Sequence, residues 1–176
     1  MQKDKLISVD ISITSLSEQT RRILEPRTAT IKKRLETVRV LSENNITDNV
    51  MLAPIIPSIN SHEILPLAKA VSEAGALSIA HTIVRLNGTI GQVFADWIQK
   101  KMPDKADKVL NQIKDCHNGN LNDSRFGTRM KGEGNIAKQV SDLMQLARLK
   151  YFKDKAMPTL NTSLHESFKD GQLKLF

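Results

Sequence analysis

The stretch Leu6-Ile7-Ser8-Val9-Asp10-Ile11-Ser12-Ile13-Thr14 sets Ile7, Val9, Ile11 and Ile13 against Ser8, Asp10, Ser12 and Thr14. A period of two is the signature of a strand with one apolar and one polar face. Downstream, residues 17–24 make a short helix with Ser17 as its cap and Pro26 as its stop, and residues 30–44 make a second, with Ile31, Leu35, Val38 and Leu41 on one side. A second strand spans 49–56 and meets Pro54 and Pro57 at its end. Asn60 or Ser61 then caps a helix that runs to Ala74 and stops at Gly75, with Glu63 serving its N-terminus, and a third strand follows over 77–86. Strands separated by helical crossovers pair in parallel, so the expected class is α/β with helices covering one face of the sheet. Helices are expected over 91–101, 105–116 and 135–152, and a flexible tail after them.

Three parallel strands leave two open edges and cannot close into a barrel. The polar face of the first strand adds a second demand, because Asp10, Ser12 and Thr14 point away from the helices. Two readings stand side by side. In one, that face lines the interior of a larger (β/α) barrel of which this chain is a part; in the other, the C-terminal helices cover it as in an open sandwich.

Composition narrows the function classes. The 176 residues are 40% hydrophobic and 26% charged, which suits a globular chain with a core of its own. One cysteine, Cys116, excludes an internal disulfide and a thiolate metal centre built from this chain alone. The four histidines, His62, His81, His117 and His165, lack the spacing of a helical zinc site. No run of apolar residues approaches a membrane span or a signal peptide, so the expected setting is cytoplasmic with no membrane contact. The 26 basic residues against 19 acidic ones give a formal charge of +7, compatible with a nucleic-acid partner. No Ser–His–Asp set, phosphate-cradling glycine loop or paired metal ligands point to a self-sufficient enzyme.

The order of motifs carries more. Val9-Asp10-Ile11-Ser12-Ile13-Thr14, Leu24-Glu25-Pro26-Arg27, the run from Met51-Leu52-Ala53-Pro54-Ile55-Ile56 through Ser61-His62-Glu63, Val84-Arg85-Leu86, and Asp123-Ser124-Arg125-Phe126-Gly127-Thr128-Arg129-Met130-Lys131-Gly132 follow one another between residues 9 and 151. In that order they resemble the C-terminal half of radical SAM proteins of the spore photoproduct lyase-like, or DNA repair photolyase, family. The resemblance implies a partial α/β barrel in which a CxxxCxxC loop holds a 4Fe–4S cluster that binds S-adenosylmethionine. That loop is absent from these residues. On this reading residues 1–90 form the half-barrel, 91–152 a helical extension and 153–176 a tail, and the half-barrel carrying the cluster is a partner chain or a missing segment. The chain by itself is then inactive and serves to position ligands.

The resemblance assigns Ser12, Thr14, Arg27, Pro54, Ile56 and Asn60 to the cofactor. Short hydroxyls at a strand end donate and accept at close range, a guanidinium after Glu25-Pro26 can grip a carboxylate, and an apolar strand end can face an adenine ring. The plainer alternatives are ordinary polar strand residues for Ser12 and Thr14, and a loop ion pair with Glu25 for Arg27. Arg85, Arg125 and Arg129 are the candidate substrate contacts, suited to nucleic-acid phosphate. Against this, Arg85 sits before a turn, and Asp123 offers a tie for Arg125 or Arg129. Finally, Gln172, Leu173, Leu175 and Phe176 form a terminal QLKLF that resembles the peptide by which replication and repair proteins bind the DNA sliding clamp. A glutamine for the pocket rim and apolar anchors suit such a groove, and this supports a second reading as a non-catalytic binding or scaffold protein.

Overall fold

The computed structural model describes residues 5–163. Its elements in chain order are β1 (Val9–Ser12), α1 (Glu18–Leu24), α2 (Ile31–Glu43), β2 (Asp48–Ile55), a single 3-10 turn (Ser61–Glu63), α3 (Ile64–Glu73), β3 (Ser78–Ile83), α4 (Ile90–Lys101), α5 (Pro103–Cys116) and α6 (Gly134–Tyr151). The three strands form one parallel sheet in the order β1-β2-β3, so the fold is α/β as the alternating pattern requires.

Local chemistry sets the helix starts. The Ser17 side chain accepts from the Thr20 amide at 3.1 Å, and Thr30 accepts from the Lys33 amide at 3.3 Å, each meeting an N–H that the first turn leaves unpaired. At the end of α3, Gly75 takes φ +104°, and a Cβ there would lie 2.3 Å from the Ser42 hydroxyl oxygen, so the turn requires glycine. The start of α3 departs from the sequence expectation. Neither Asn60 nor Ser61 caps it by side chain; the chain enters through the 3-10 turn, and Asn60 and Glu63 are both drawn to partners across the fold.

The pleat sorts the strand residues. Ile13, Val50, Leu52, Ile79 and Ile83 point to one face and pack with Val38 of α2, Leu67, Ala68 and Val71 of α3, and Val140, Met144 and Ala147 of α6. α6 therefore lies on the same side as α2 and α3. The opposite face carries Asp10, Asn49 and Ser78 in register across the three strands. The Asn49 side-chain amide donates to Asp10, and the Ser78 hydroxyl donates to Asn49 at 2.6 Å. Asp10 and Ser12 are exposed on this face, so the C-terminal helices do not seal it. Of the two sheet readings, the open sandwich with a covered second face is not the one observed.

A second apolar cluster sits beyond the C-terminal ends of the strands. Ile56, Ile59, Val84 and Leu86 meet Ile98 of α4 and Ala106, Val109 and Ile113 of α5. This cluster holds α4 over the strand ends and so fixes one wall of the site described next.

Candidate functional site

A cleft of about 470 Å³ opens where the three strands end, lined by Thr14, Leu24, Glu25, Pro54, Ile56, Val84, Ile90, Val93, Phe94 and Trp97. The C-terminal ends of parallel strands are where α/β folds place ligands, because the loops there can vary while the sheet holds them rigidly. Three sequence-distant segments supply the floor and α4 supplies an apolar wall. Phe94 and Trp97, three residues apart on that helix, place their rings 5.3 Å apart at a 39° tilt. Ile90 and Val93 remain largely exposed at the mouth.

The polar end of the cleft is a short network. The buried Thr14 hydroxyl donates to Glu25 Oε1 at 2.7 Å, and Arg34 donates to Glu25 Oε2 at 2.7 Å. Glu25 follows α1 as its C-cap, so this carboxylate is held by a strand and a second helix at once. Arg34 also donates to the Ser12 carbonyl at 2.8 Å, which ties α2 to the end of β1.

Asn60 stands behind the floor at 1% exposure. Its Oδ1 accepts from the Ile56 amide at 2.7 Å, while its Nδ2 donates to the carbonyls of Thr14 at 2.8 Å and Pro54 at 2.9 Å. The three cleft residues Thr14, Pro54 and Ile56 are thus fixed to one another through a single buried amide. The Ala53–Pro54 peptide bond is cis.

Of the cofactor candidates, Thr14, Pro54 and Ile56 line the cleft and Asn60 positions them. Ser12 lies outside the lining, exposed on the open sheet face. Arg27 is exposed and forms no ion pair among the described residues, since Glu25 is taken by Arg34. Sequence reasoning passed over Glu25 as a site residue and over the whole α4 wall. The signal available for the wall was the spacing of Phe94 and Trp97, the latter being the chain's one tryptophan.

The substrate candidates lie apart from the lining. Arg125 donates from Nε to Asp123 Oδ1 at 3.0 Å and from Nη2 to Asp123 Oδ2 at 2.8 Å, and also reaches Glu133 at 3.0 Å. This fork holds the Asp123 carboxyl well below the usual carboxylate range and raises the Arg125 guanidinium correspondingly. Arg85 donates to the Asp123 carbonyl at 3.3 Å. The Arg129 guanidinium carbon stands 5.7 Å from the centre of the Phe126 ring, which is 93% exposed. Gly132 closes the loop at φ +73°, where a Cβ would lie 3.0 Å from the Cys116 carbonyl. Gln172, Leu173, Leu175 and Phe176 lie outside the described residues.

Among the described residues no three His, Cys, Asp or Glu side chains gather as metal ligands, and no helix is long and apolar enough to cross a membrane. Comparison of the chain with protein-family models, with curated proteins and with solved structures returns no match.

Proposed function

We propose that this chain is the ligand-positioning half of a radical SAM-type (β/α) barrel, holding S-adenosylmethionine in the strand-end cleft beside a nucleic-acid substrate. The observation that carries the reading is the cleft itself, apolar along Pro54, Ile56, Phe94 and Trp97, and polar at Thr14 and Glu25. Apolar walls suit the faces of an adenine ring, and the Thr14–Glu25–Arg34 network, its charge balanced internally, gives the ligand a polar end to meet. Its volume falls within the usual range for small-molecule sites, about 300–1,000 Å³. The polar sheet face, with Asp10, Asn49 and Ser78 hydrogen-bonded in a row and no described helix sealing it, supports a barrel interior reached by adding strands at the β1 edge.

The iron–sulfur cluster does not fit this chain. Cys116 is the one cysteine, it is fully buried, and burial pushes its thiol up to about 11, against the thiolate a cluster needs. In this reading the cluster belongs to a separate segment or chain, and residues 5–163 contribute placement.

The test is calorimetric titration of the full chain with S-adenosylmethionine, beside Val93→Lys. Val93 is 65% exposed, so the substitution leaves the core intact while setting a positive charge at the cleft mouth. Saturable binding that Val93→Lys weakens by about tenfold or more supports the proposal, given that like charges at close range cost several-fold in affinity. Equal heats for both proteins, or none for either, overturn it.

A further inference from the structure

The outer edge of β3 pairs with no strand among the described residues, and two side elements meet it instead. The Ile83 amide donates to the Met130 carbonyl at 2.9 Å, and Arg148 of α6 donates to the Ile79 carbonyl from Nε at 3.3 Å and from Nη2 at 3.2 Å. Such ties blunt an edge that would otherwise recruit another chain. Between them lies a cavity of about 350 Å³, lined by Ala80, His81, Lys131, Ser141 and Arg148.

Among the described residues the donors in this pocket have no anionic counterpart. No aspartate or glutamate lines it, and neither Lys131 nor Arg148 forms an ion pair among the described residues. The acidic residues closest to them in sequence are committed elsewhere, Glu133 to Arg125 at 3.0 Å, Asp142 to Lys138 at 2.6 Å and Asp154 to Lys153 at 4.0 Å. Lys131 and Arg148 are exposed, and Arg148 spends Nε and Nη2 on Ile79, which leaves Nη1. His81 registers the surplus: burial first, then the charges of Arg148 and Lys131, push its imidazole below the ordinary histidine value. The contrast with Arg125, saturated by two carboxylates, is informative, because a concave set of unpaired cations concentrates the field for an incoming anion.

We infer that the His81–Lys131–Ser141–Arg148 pocket on the β3 edge binds a phosphate group, presented by a nucleic-acid backbone or by a small phosphate ester. A tetrahedral oxyanion matches this set, with a guanidinium arm and an ammonium for charge, and a hydroxyl and an imidazole N–H for the remaining oxygens. The pocket shares no residue with the cleft, so it stands independently of the S-adenosylmethionine reading.

The experiment follows the His81 imidazole by NMR in the full chain, assigned through His81→Gln, at matched ionic strength in chloride, inorganic phosphate, or a single-stranded DNA oligonucleotide. A bound phosphate raises the His81 pKa relative to chloride, and Lys131→Glu abolishes the rise while Lys131→Arg keeps it. A rise with inorganic phosphate and the oligonucleotide alike assigns the site to phosphate in general, and a rise with the oligonucleotide alone assigns it to the nucleic-acid backbone. In the latter case Lys131→Glu weakens oligonucleotide binding by about tenfold and lowers its salt dependence by about one phosphate contact. Coincident titration curves in all three media, or a rise that survives Lys131→Glu, overturn the inference. Lys131 is exposed and makes no structural tie through its side chain, so the variant does not threaten the fold.

Discussion

The Ser15 hydroxyl sits 2.9 Å from each carboxylate oxygen of Glu63, and the Leu16 amide donates to the same carboxylate. Ser15 is 1% exposed and Glu63 8%, and the two are 48 residues apart in the chain. A carboxylate at the start of α3 therefore anchors the segment that leads from β1 into α1, and with it Thr14 at the cleft floor. Glu63→Gln keeps the shape but gives up charge-assisted acceptance from two donors, and stability falls by about 2–3 kcal/mol. Urea unfolding measures this, and a midpoint equal to that of the unmodified chain would sink the anchoring role.

Asp48 opens β2 at 0% exposure, and neither of its carboxylate oxygens has a partner in hydrogen-bond geometry. Burial pushes its carboxyl above the ordinary aspartate value, opposed by the backbone amides of Leu77 and Asp48 itself and by the charge of Lys155. A folded pKa above the unfolded one means that the folded state holds the proton more tightly. Stability from this group is full below the unfolded value of about 4, declines as pH rises through the raised folded value, and is level beyond it. Unfolding free energies measured from pH 3.5 upward should show this decline, and Asp48→Asn should remove it. A variant that retains the same slope assigns the effect to other groups.

Cys116 lies in the main core against α6, with a thiol held near 11. A thiol-specific reagent should fail to modify it in the native chain and should react fully once urea unfolds the protein, since the thiolate is the reactive form. Incubation with iron and sulfide under reducing conditions should likewise give no cluster chromophore. Rapid native labelling, or a bound cluster, would contradict the assignment of the cluster to another segment.

The terminal Gln172-Leu173-Lys174-Leu175-Phe176 resembles a clamp-binding peptide, and we propose it as a tether to a DNA sliding clamp. Phe176→Ala, which deletes an aromatic anchor, should weaken clamp binding by about tenfold or more, as anchor truncations do at protein interfaces. It should leave the cleft's affinity for small ligands unchanged. Clamp binding indifferent to Phe176 would remove this partner.

What could be read from the residues, and what could not, divides along the range of the interactions. The alternation through Val9 and Ile11, the Ser17 cap and the stop at Gly75 are local, and each sits where its pattern places it, whereas Thr30, expected as the first helical residue, caps α2. Asn60 and Glu63 occupy positions that look like caps, yet their side chains answer partners 46 and 48 residues away, which no local pattern encodes. Glu25 had a cationic neighbour in Arg27, but the fold delivers Arg34 to it instead, because one turn of α2 passes over the strand end. The cleft wall was illegible for the same reason: what Phe94 and Trp97 face depends on how α5 packs against α4.

Trp97 is the chain's one tryptophan and lines the cleft, so its emission reports on that site alone. The most direct measurement is therefore titration of the intrinsic fluorescence with S-adenosylmethionine. A saturable change that Val93→Lys diminishes is the expected result; emission that stays constant to millimolar ligand, in a chain that still unfolds cooperatively, would contradict the claim that the strand-end cleft is a ligand site for this cofactor.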